Sequence, residues 1–119
     1  VSTFCRRLLL DRRKYFKYPL NMSKQNTACL LIHGFGGSPF ELQGLADYLS
    51  QAGYFTKKPL LPGHGRDFKA FHQTNFEHWS SFAEQEYLKL KKVFSRVFVI
   101  GFSMGGTIGL YLAQKYQLP

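Results

Sequence analysis

A short glycine–serine–glycine pattern, GFSMG at residues 101–105, carries the residue types of a nucleophilic serine. Ser103 stands at its centre, after an apolar β-branched run and before apolar residues at helical spacing. This order predicts a sharp strand–turn–helix junction, in which Gly101 and Gly105 allow close backbone approach. Such a turn would raise the Ser103 hydroxyl above the sheet at a helix N-terminus, where free N–H groups favour a developing negative charge. The pattern therefore indicates Ser103 as the nucleophile of an acyl-transfer reaction.

The groups that would activate this serine are not found after it in the sequence. A serine nucleophile requires a general base, usually histidine, and a carboxylate that orients the base. Where this junction occurs, the chain order is serine, then an acid, then histidine. Residues 104–119 contain no Asp, Glu or His, and the four histidines all precede the serine: His33, His64, His72 and His78. We therefore expect the 119 residues to hold part of a catalytic site and to be inactive alone.

A second glycine-rich turn, HGFGG at residues 33–37, follows the first apolar run. Its geometry would direct the backbone N–H of Phe35 toward an oxyanion, and the N–H of Met104 would supply the second donor. His33 and Gly34 would shape this turn, with His33 bonded to the loop backbone rather than acting as base. The alternatives are an ordinary strand-to-helix turn or a phosphate loop, but the spacing is not GxGxxG and no Walker lysine follows.

The remaining histidines and the tryptophan give weaker signals. His64 lies in LPGHG, residues 61–65, where proline and glycine shape the turn, so we expect local bonding rather than a direct catalytic role. His72 and His78 have no ligand spacing with a cysteine, an acid or another histidine, so no metal and no other cofactor is expected. Trp79 lies on the apolar side of a helical pattern, and we expect it in the core.

The elements that must position these residues alternate between strand and helix. Apolar runs at residues 28–32 and 97–100 predict two strands, the first of them covered on both faces, and residues 54–59 are predicted to form a third strand between them in the sequence. A helical pattern follows each strand. This order predicts an α/β fold of three layers (α/β/α) with a mostly parallel sheet. Such sheets place their sites at the carboxyl ends of the strands, where both HGFGG and GFSMG lie.

The first two helices have recognisable start signals. Ser38 would cap the first helix, Pro39 would take its first position, and Glu41 would close a capping box. Thr74 or Asn75 would cap the second. The buried side of the first helix is predicted to consist of Leu42, Leu45, Ala46 and Leu49. That of the second is predicted to consist of Trp79, Phe82, Ala83, Tyr87, Leu90 and Phe94.

Composition predicts one globular domain. Hydrophobic residues make up 45% of the chain and aromatic residues 17%, which is ample for a packed core. No apolar run approaches the roughly 20 residues that span a bilayer, and no signal-peptide pattern is present. Cys5 and Cys29 do not form a disulfide framework. A cytoplasmic location is therefore expected.

The positive charge is concentrated at the N-terminus. Of the net charge of +9, residues 1–21 carry six Lys/Arg against one acid. This basic leader could contact an anionic membrane or a nucleic acid. A solvated tail or outer strands of the sheet is the interpretation we favour, so no nucleic-acid partner is expected. Translation starting at Met22 is a further alternative.

The motifs HGFGGSP, LPGHG and GFSMGG, in this order, resemble the α/β-hydrolase superfamily. More narrowly, they are similar to its bacterial carboxylesterase and monoacylglycerol-lipase-like branch. The resemblance implies an ester or lipid-like substrate, with Ser103 as nucleophile and with Phe35 and Met104 as oxyanion donors. It covers residues 28–119, as the N-terminal portion of such a domain cut after the nucleophile-elbow helix. Residues 1–27 would be a basic leader or outer strands, and the catalytic acid, the histidine and the later strands would lie further along the chain.

Two hypotheses of different classes follow. In the first, the chain is part of a serine hydrolase that acts on carboxylic esters through an acyl-enzyme on Ser103. In the second, it is a non-catalytic binding or assembly module derived from a hydrolase half-domain, with the basic leader providing contacts. The presence of Gly101, Ser103, Gly105 and Gly106 together with the HGFGG turn favours the hydrolase.

Overall fold

A small parallel sheet positions the rest of the structure, a computed structural model that describes residues 26–119. Its strands are β1 (Thr27–Ile32), β2 (Phe55–Lys57) and β3 (Arg96–Gly101). β1 lies in the centre and pairs in parallel with β2 on one side and β3 on the other. The three predicted strands are thus confirmed, although β2 is shorter than predicted and β1 begins one residue before residue 28. The basic leader lies outside the described residues.

Helical segments follow each of these strands. A 3-10 turn (Pro39–Leu42) continues directly into α1 (Gln43–Gln51), and three more helices follow: α2 (Phe68–His72), α3 (Phe76–Lys91) and α4 (Met104–Tyr116). The short α2 was not predicted from the sequence. The Asp67 side chain caps it by accepting a hydrogen bond from the Ala70 N–H at 2.8 Å. No helix within residues 26–119 is both long enough and apolar enough to cross a bilayer.

Both faces of the central strand are covered. Alternate residues of β1 point to opposite faces of a sheet, and every residue of β1 is buried. On one face Leu30 and Ile32 pack with Ile108 of α4 and with α3. On the other face Leu31 packs with Ala46 of α1. The structure is therefore a three-layer α/β/α arrangement with a parallel sheet, as predicted.

The helix signals were partly right. All six residues predicted for the buried side of the second helix are buried or pack against the core, and Asn75 caps α3. In the first helix Leu42 and Ala46 are buried, but Leu45 is 39% exposed. The capping box predicted for Ser38 and Glu41 is wrong. Ser38 does cap the 3-10 turn, by accepting from the Phe40 N–H, whereas the Glu41 carboxylate bonds elsewhere.

Candidate functional site

Ser103 lies at a sharp junction between β3, which ends at Gly101, and α4, which begins at Met104. Its backbone angles are φ 54° and ψ −120°, a sparsely populated conformation for a residue with a side chain. Among the described residues, the other non-glycine with positive φ is Gln117, at the C-cap of α4, where a left-handed residue is ordinary. The predicted strained turn at Ser103 is therefore confirmed.

The glycines of the GFSMG pattern are required by backbone contacts. A Cβ placed on Gly101 would overlap the carbonyl group of Gly105. A Cβ placed on Gly105 would overlap the carbonyl oxygen of Ile32 and lie 2.8 Å from that of His33. The start of α4 thus packs backbone to backbone against the carboxyl end of β1. This contact brings the Ser103 turn to the edge of the sheet where β1 ends.

The Ser103 hydroxyl is not used to cap its own helix. A serine at the N-cap position ordinarily accepts a hydrogen bond from a free N–H of the first turn. Here the side chain makes no such bond. The Gly105 and Gly106 N–H groups instead donate to the carbonyl oxygens of Phe102 and Ser103, each at 2.8 Å. The Ser103 side chain is exposed, so its hydroxyl is accessible to an incoming molecule.

The HGFGG turn lies directly beside this serine. A Cβ on Gly34 would be 3.5 Å from the Ser103 Cβ and 3.3 Å from the Phe102 ring. The Phe102 N–H donates to the carbonyl oxygen of Ile32 at 3.0 Å, which extends the pairing of β1 and β3 past the end of the strands. The tertiary structure thus brings together the two glycine turns that are distant in sequence.

Most backbone N–H groups of the HGFGG turn already have partners. The Gly34 N–H donates to Oε2 of Glu41 at 3.1 Å. The Gly36 N–H donates to Nε2 of His64, also at 3.1 Å. Within residues 26–119 the N–H of Phe35 makes no hydrogen bond. It is therefore available to a ligand.

The N–H of Met104, at the start of α4, is the second available donor. It makes no hydrogen bond within the described part of the chain. It also lies at the N-terminus of a 13-residue helix, where the helix dipole favours negative charge. Both N–H groups singled out in the sequence, those of Phe35 and Met104, thus have no hydrogen-bond partner among residues 26–119.

His33 is fully buried, and both of its ring nitrogens are used. Nε2 lies 3.0 Å from the Leu61 N–H, which can only donate, so Nε2 accepts and the proton is on Nδ1. Nδ1 then donates to the Gly34 carbonyl oxygen at 2.9 Å. Burial lowers the pKa of His33, and its hydrogen bond to Gly34 opposes this only in part. The ring is therefore held neutral against the two turns.

His64 mirrors His33 from the LPGHG turn. Because its Nε2 accepts from the Gly36 N–H, its Nδ1 carries the proton and donates to the Pro62 carbonyl oxygen at 3.1 Å. The two imidazole rings are in edge-to-face contact, with their centroids 4.9 Å apart. Each histidine therefore binds the backbone of the other's turn, and neither has a ring nitrogen left to accept a proton from Ser103.

Trp79 is in the core, as predicted, but it also supports the site. Its Nε1–H donates to the Pro62 carbonyl oxygen at 3.0 Å and to Oγ1 of Thr74 at 3.1 Å. Phe35 is 63% exposed, and its ring makes edge-to-face contacts with those of Trp79 and Phe71 at centroid distances of 5.7 and 4.9 Å. This anchoring of the Phe35 side chain could not be read from sequence spacing, because the HGFGG turn meets Phe71 of α2 and Trp79 of α3 only in the folded chain.

The other two histidines are engaged away from the serine. His78 forms the capping box of α3 with Asn75, and the ring of His72 contacts that of Phe68. Both residues are exposed. Within the described residues no group of three or more His, Cys, Asp or Glu side chains is placed to hold a metal ion.

Buried His33 predicts that the chain becomes less stable in acid. The folded chain holds the pKa of His33 below 6.5, its ordinary value, mainly through burial. Below about pH 6.5 the unfolded chain therefore binds a proton that the folded chain does not, and the free energy of unfolding falls with pH. Urea unfolding between pH 7.5 and 5 should show this slope. The slope of the free energy of unfolding against pH should be flatter in His33→Gln than in the unchanged chain. In His72→Gln, the exposed control, it should be the same as in the unchanged chain. Equal slopes in all three proteins would contradict the prediction.

Comparison with known proteins gives the family of the chain. The protein-family sequence model described as the alpha/beta hydrolase fold matches residues 28–119. A thermostable monoacylglycerol lipase from Bacillus sp. (strain H-257) is 41% identical over 87 residues, which cover 73% of this chain and 35% of the lipase. A carboxylesterase from Bacillus subtilis (strain 168) is 31% identical over 103 residues, which cover 85% of this chain and 41% of the esterase.

The structural comparison agrees with the sequence comparison. A solved structure from work on LipS and LipT, two metagenome-derived lipolytic enzymes, matches with a TM-score of 0.74 at 24% identity. The match covers 83% of this chain and 43% of that chain. The chain thus spans less than half the length of each of these proteins. The resemblance inferred from the three motifs is confirmed. This chain covers part of the α/β-hydrolase fold and belongs to that family.

Proposed function

We propose that this chain carries the nucleophile and the oxyanion donors of a serine hydrolase that acts on carboxylic esters. The observation that carries the proposal is the strained Ser103, whose exposed hydroxyl caps no helix. The N–H groups of Met104, the next residue, and of Phe35, in the neighbouring HGFGG turn, have no partner among the described residues. Backbone strain of this kind persists at functional sites because the surrounding structure enforces it.

In the proposed reaction, Oγ of Ser103 attacks the ester carbonyl carbon while a base takes the hydroxyl proton. The carbonyl oxygen becomes negatively charged, and the N–H groups of Phe35 and Met104 donate to it. The bond to the alcohol breaks, and the alcohol leaves with the proton from the base. Water then attacks the acyl-enzyme, which releases the carboxylic acid and restores the Ser103 hydroxyl.

The base in this proposal comes from outside the 119 residues. His33 and His64 each use both ring nitrogens on the backbone of the two turns, so neither can take the Ser103 proton without giving up a hydrogen bond. In proteins with this turn, the acid and the histidine follow the serine. We therefore propose that both are supplied by further sequence or by a complementing chain, and that these residues alone are a nearly inactive fragment.

The names of the relatives suggest the substrate class. One is a monoacylglycerol lipase and the other a carboxylesterase. A carboxylic ester, including one with a lipid-like acyl chain, is therefore the proposed substrate. We also propose a cytoplasmic location, because Cys29 is a free, buried thiol and a reducing compartment keeps such thiols unpaired.

Trapping the acyl-enzyme tests the proposal directly. The chain is joined to the part of the Bacillus monoacylglycerol lipase that follows the matched region, exposed briefly to p-nitrophenyl butyrate and quenched in acid. Intact mass and peptide mapping should then find one butyryl group, on Ser103. Thr107→Ala, which removes a nearby hydroxyl, should be labelled equally, and Ser103→Ala should not be labelled. Absence of the acyl group from a folded joined chain would favour the binding or assembly module.

A further inference from the structure

Glu41 makes a contact that neither helix capping nor the core requires. It lies in the 3-10 turn before α1, and its Oε2 accepts a hydrogen bond from the Gly34 N–H, seven residues earlier, at 3.1 Å. We propose that Glu41 is a positioning residue that holds the HGFGG turn so that the Phe35 N–H remains directed to the oxyanion. This inference rests on the proposed function of Phe35 and deepens it.

The hydrogen bonds of Gly34 show why its orientation matters. The Gly34 carbonyl and the Phe35 N–H belong to one planar trans peptide, so they point in opposite directions. The carbonyl oxygen accepts from Nδ1 of His33 at 2.9 Å and from the Gly37 N–H at 3.1 Å. The Glu41 carboxylate accepts from the Gly34 N–H, which belongs to the preceding peptide, between His33 and Gly34. Together these contacts hold the two peptide planes that flank Gly34, and the second of these planes carries the Phe35 N–H.

Removing the carboxylate would free a third N–H donor, that of Gly34, close to the serine. Gly34 is buried, and a Cβ placed on it would be 3.5 Å from the Ser103 Cβ. A buried N–H without a partner is costly, so the turn would shift to satisfy it. The bond to Glu41 is also charge-assisted, which makes it stronger than a bond to a neutral acceptor. Loss of the carboxylate should therefore change the orientation of the Phe35 N–H.

A purely structural role for Glu41 is not supported by its contacts. The helix start is capped by Ser38, whose Oγ accepts from the Phe40 N–H. Glu41 is an exposed residue, so its replacement removes little packing. The expected consequence of its loss is confined to the HGFGG turn.

Gly37 offers a way to displace the carboxylate without changing its charge. A Cβ on Gly37 would overlap the carboxylate of Glu41, the far end of a flexible side chain. Gly37→Ala should therefore move the carboxylate away from the Gly34 N–H. Gly44→Ala is the matched control, because a Cβ there meets nothing within 4 Å.

Amide hydrogen exchange in the 119-residue chain tests the contact independently of any activity. Glu41→Met and Gly37→Ala should each speed exchange of the Gly34 amide by roughly tenfold or more, as expected on losing a hydrogen bond to a charged group. Glu41→Gln keeps an acceptor oxygen but not the charge, so it should speed exchange by less than Glu41→Met does. Gly44→Ala should exchange as the unchanged chain does. Equal Gly34 exchange in Glu41→Met and the unchanged chain would overturn the proposal.

Kinetics of the joined chain test the effect on the reaction. Glu41→Met and Gly37→Ala should each lower kcat by roughly tenfold with little change in KM, because oxyanion donors act mainly in the transition state. The variant that combines Glu41→Met with Gly37→Ala should be no slower than the slower single variant, since both changes remove the same hydrogen bond. Glu41→Gln should restore most of kcat.

The outcomes separate the two proposals. An unchanged kcat in Glu41→Met, in a joined chain whose turnover depends on Ser103, would overturn the positioning role alone. A joined chain without Ser103-dependent turnover would overturn the proposed function, and with it the positioning role toward the oxyanion. Exchange at Gly34 would then still report whether Glu41 holds the turn.

Discussion

Ser103→Ala is expected to lower ester turnover of the joined chain by roughly four to six powers of ten, the loss typical of removing a catalytic nucleophile. In the 119-residue chain by itself, the same substitution should change the slow hydrolysis of p-nitrophenyl butyrate very little. The contrast between the two backgrounds is the prediction. It separates the contribution of the serine from that of the groups that activate it.

The reason lies in the protonation of the serine. Without a base its hydroxyl stays protonated at neutral pH and is a weak nucleophile. In the absence of a base, only the oxyanion donors and substrate binding would contribute to catalysis. Both buried histidines near the HGFGG turn are committed to backbone groups, His33 to Leu61 and Gly34 and His64 to Gly36 and Pro62.

The measurement is the initial rate of p-nitrophenol release by four proteins, with and without the downstream region and with and without Ser103. Thr107→Ala in the joined chain serves as the control for loss of a hydroxyl near the turn. Fast, Ser103-dependent turnover by the 119-residue chain alone would mean that an upstream histidine serves as base. His33 and His64 would then be the first residues to replace, and the assignment of an incomplete site would be wrong.

Gly105→Ala is expected to be among the most destabilising single methyl additions in the chain. The new Cβ would overlap the carbonyl oxygen of Ile32 and crowd that of His33. These are backbone atoms of β1 and its end, and they cannot move without breaking the central strand. Forcing atoms into a packed site costs about 1–3 kcal/mol and sometimes more, so we expect a loss of about 3 kcal/mol in the free energy of unfolding.

Gly106→Ala is the matched control for this prediction. The neighbouring glycine lies in the same first turn of α4, and a Cβ there would approach nothing closer than 3.5 Å. Alanine is favoured over glycine in a helix by up to about 1 kcal/mol, so this variant should be as stable as the unchanged chain or more so. Urea unfolding at pH 7.5 compares the two. If both variants unfold at the same midpoint, the backbone contact between α4 and β1 is not as close as described.

Several features of the fold followed from the sequence because they depend on local geometry. The apolar run of β3, the glycine pair around Ser103 and the periodicity of α4 lie within about 20 residues of one another. This order predicts the sharp turn at the serine from neighbouring residues alone, since a Cβ on Gly101 would overlap the carbonyl group of Gly105. The parallel three-layer arrangement followed for a similar reason, from the alternation of strand and helix patterns.

Other contacts were decided only by the tertiary structure. Spacing predicted that Glu41 would cap its own helix, but its carboxylate bonds to the Gly34 N–H instead. The choice depends on which unsatisfied donor lies nearer in space, and the sequence does not state that position. The short α2 was missed because the loop around it contains no extended apolar period.

The two buried histidines show the same limit most clearly. The sequence indicated that His33 and His64 would bond locally, by residue type and by the turns around them. It did not indicate that each would accept from the other's turn, across 28 residues, in the His33–Leu61 and His64–Gly36 bonds. Local sterics, such as the close approach of Gly101 to Gly105, determined where the chain turns. Which buried donor meets which acceptor was determined only when the sheet brought the ends of the strands together, because a hydrogen bond depends on distance and direction in space.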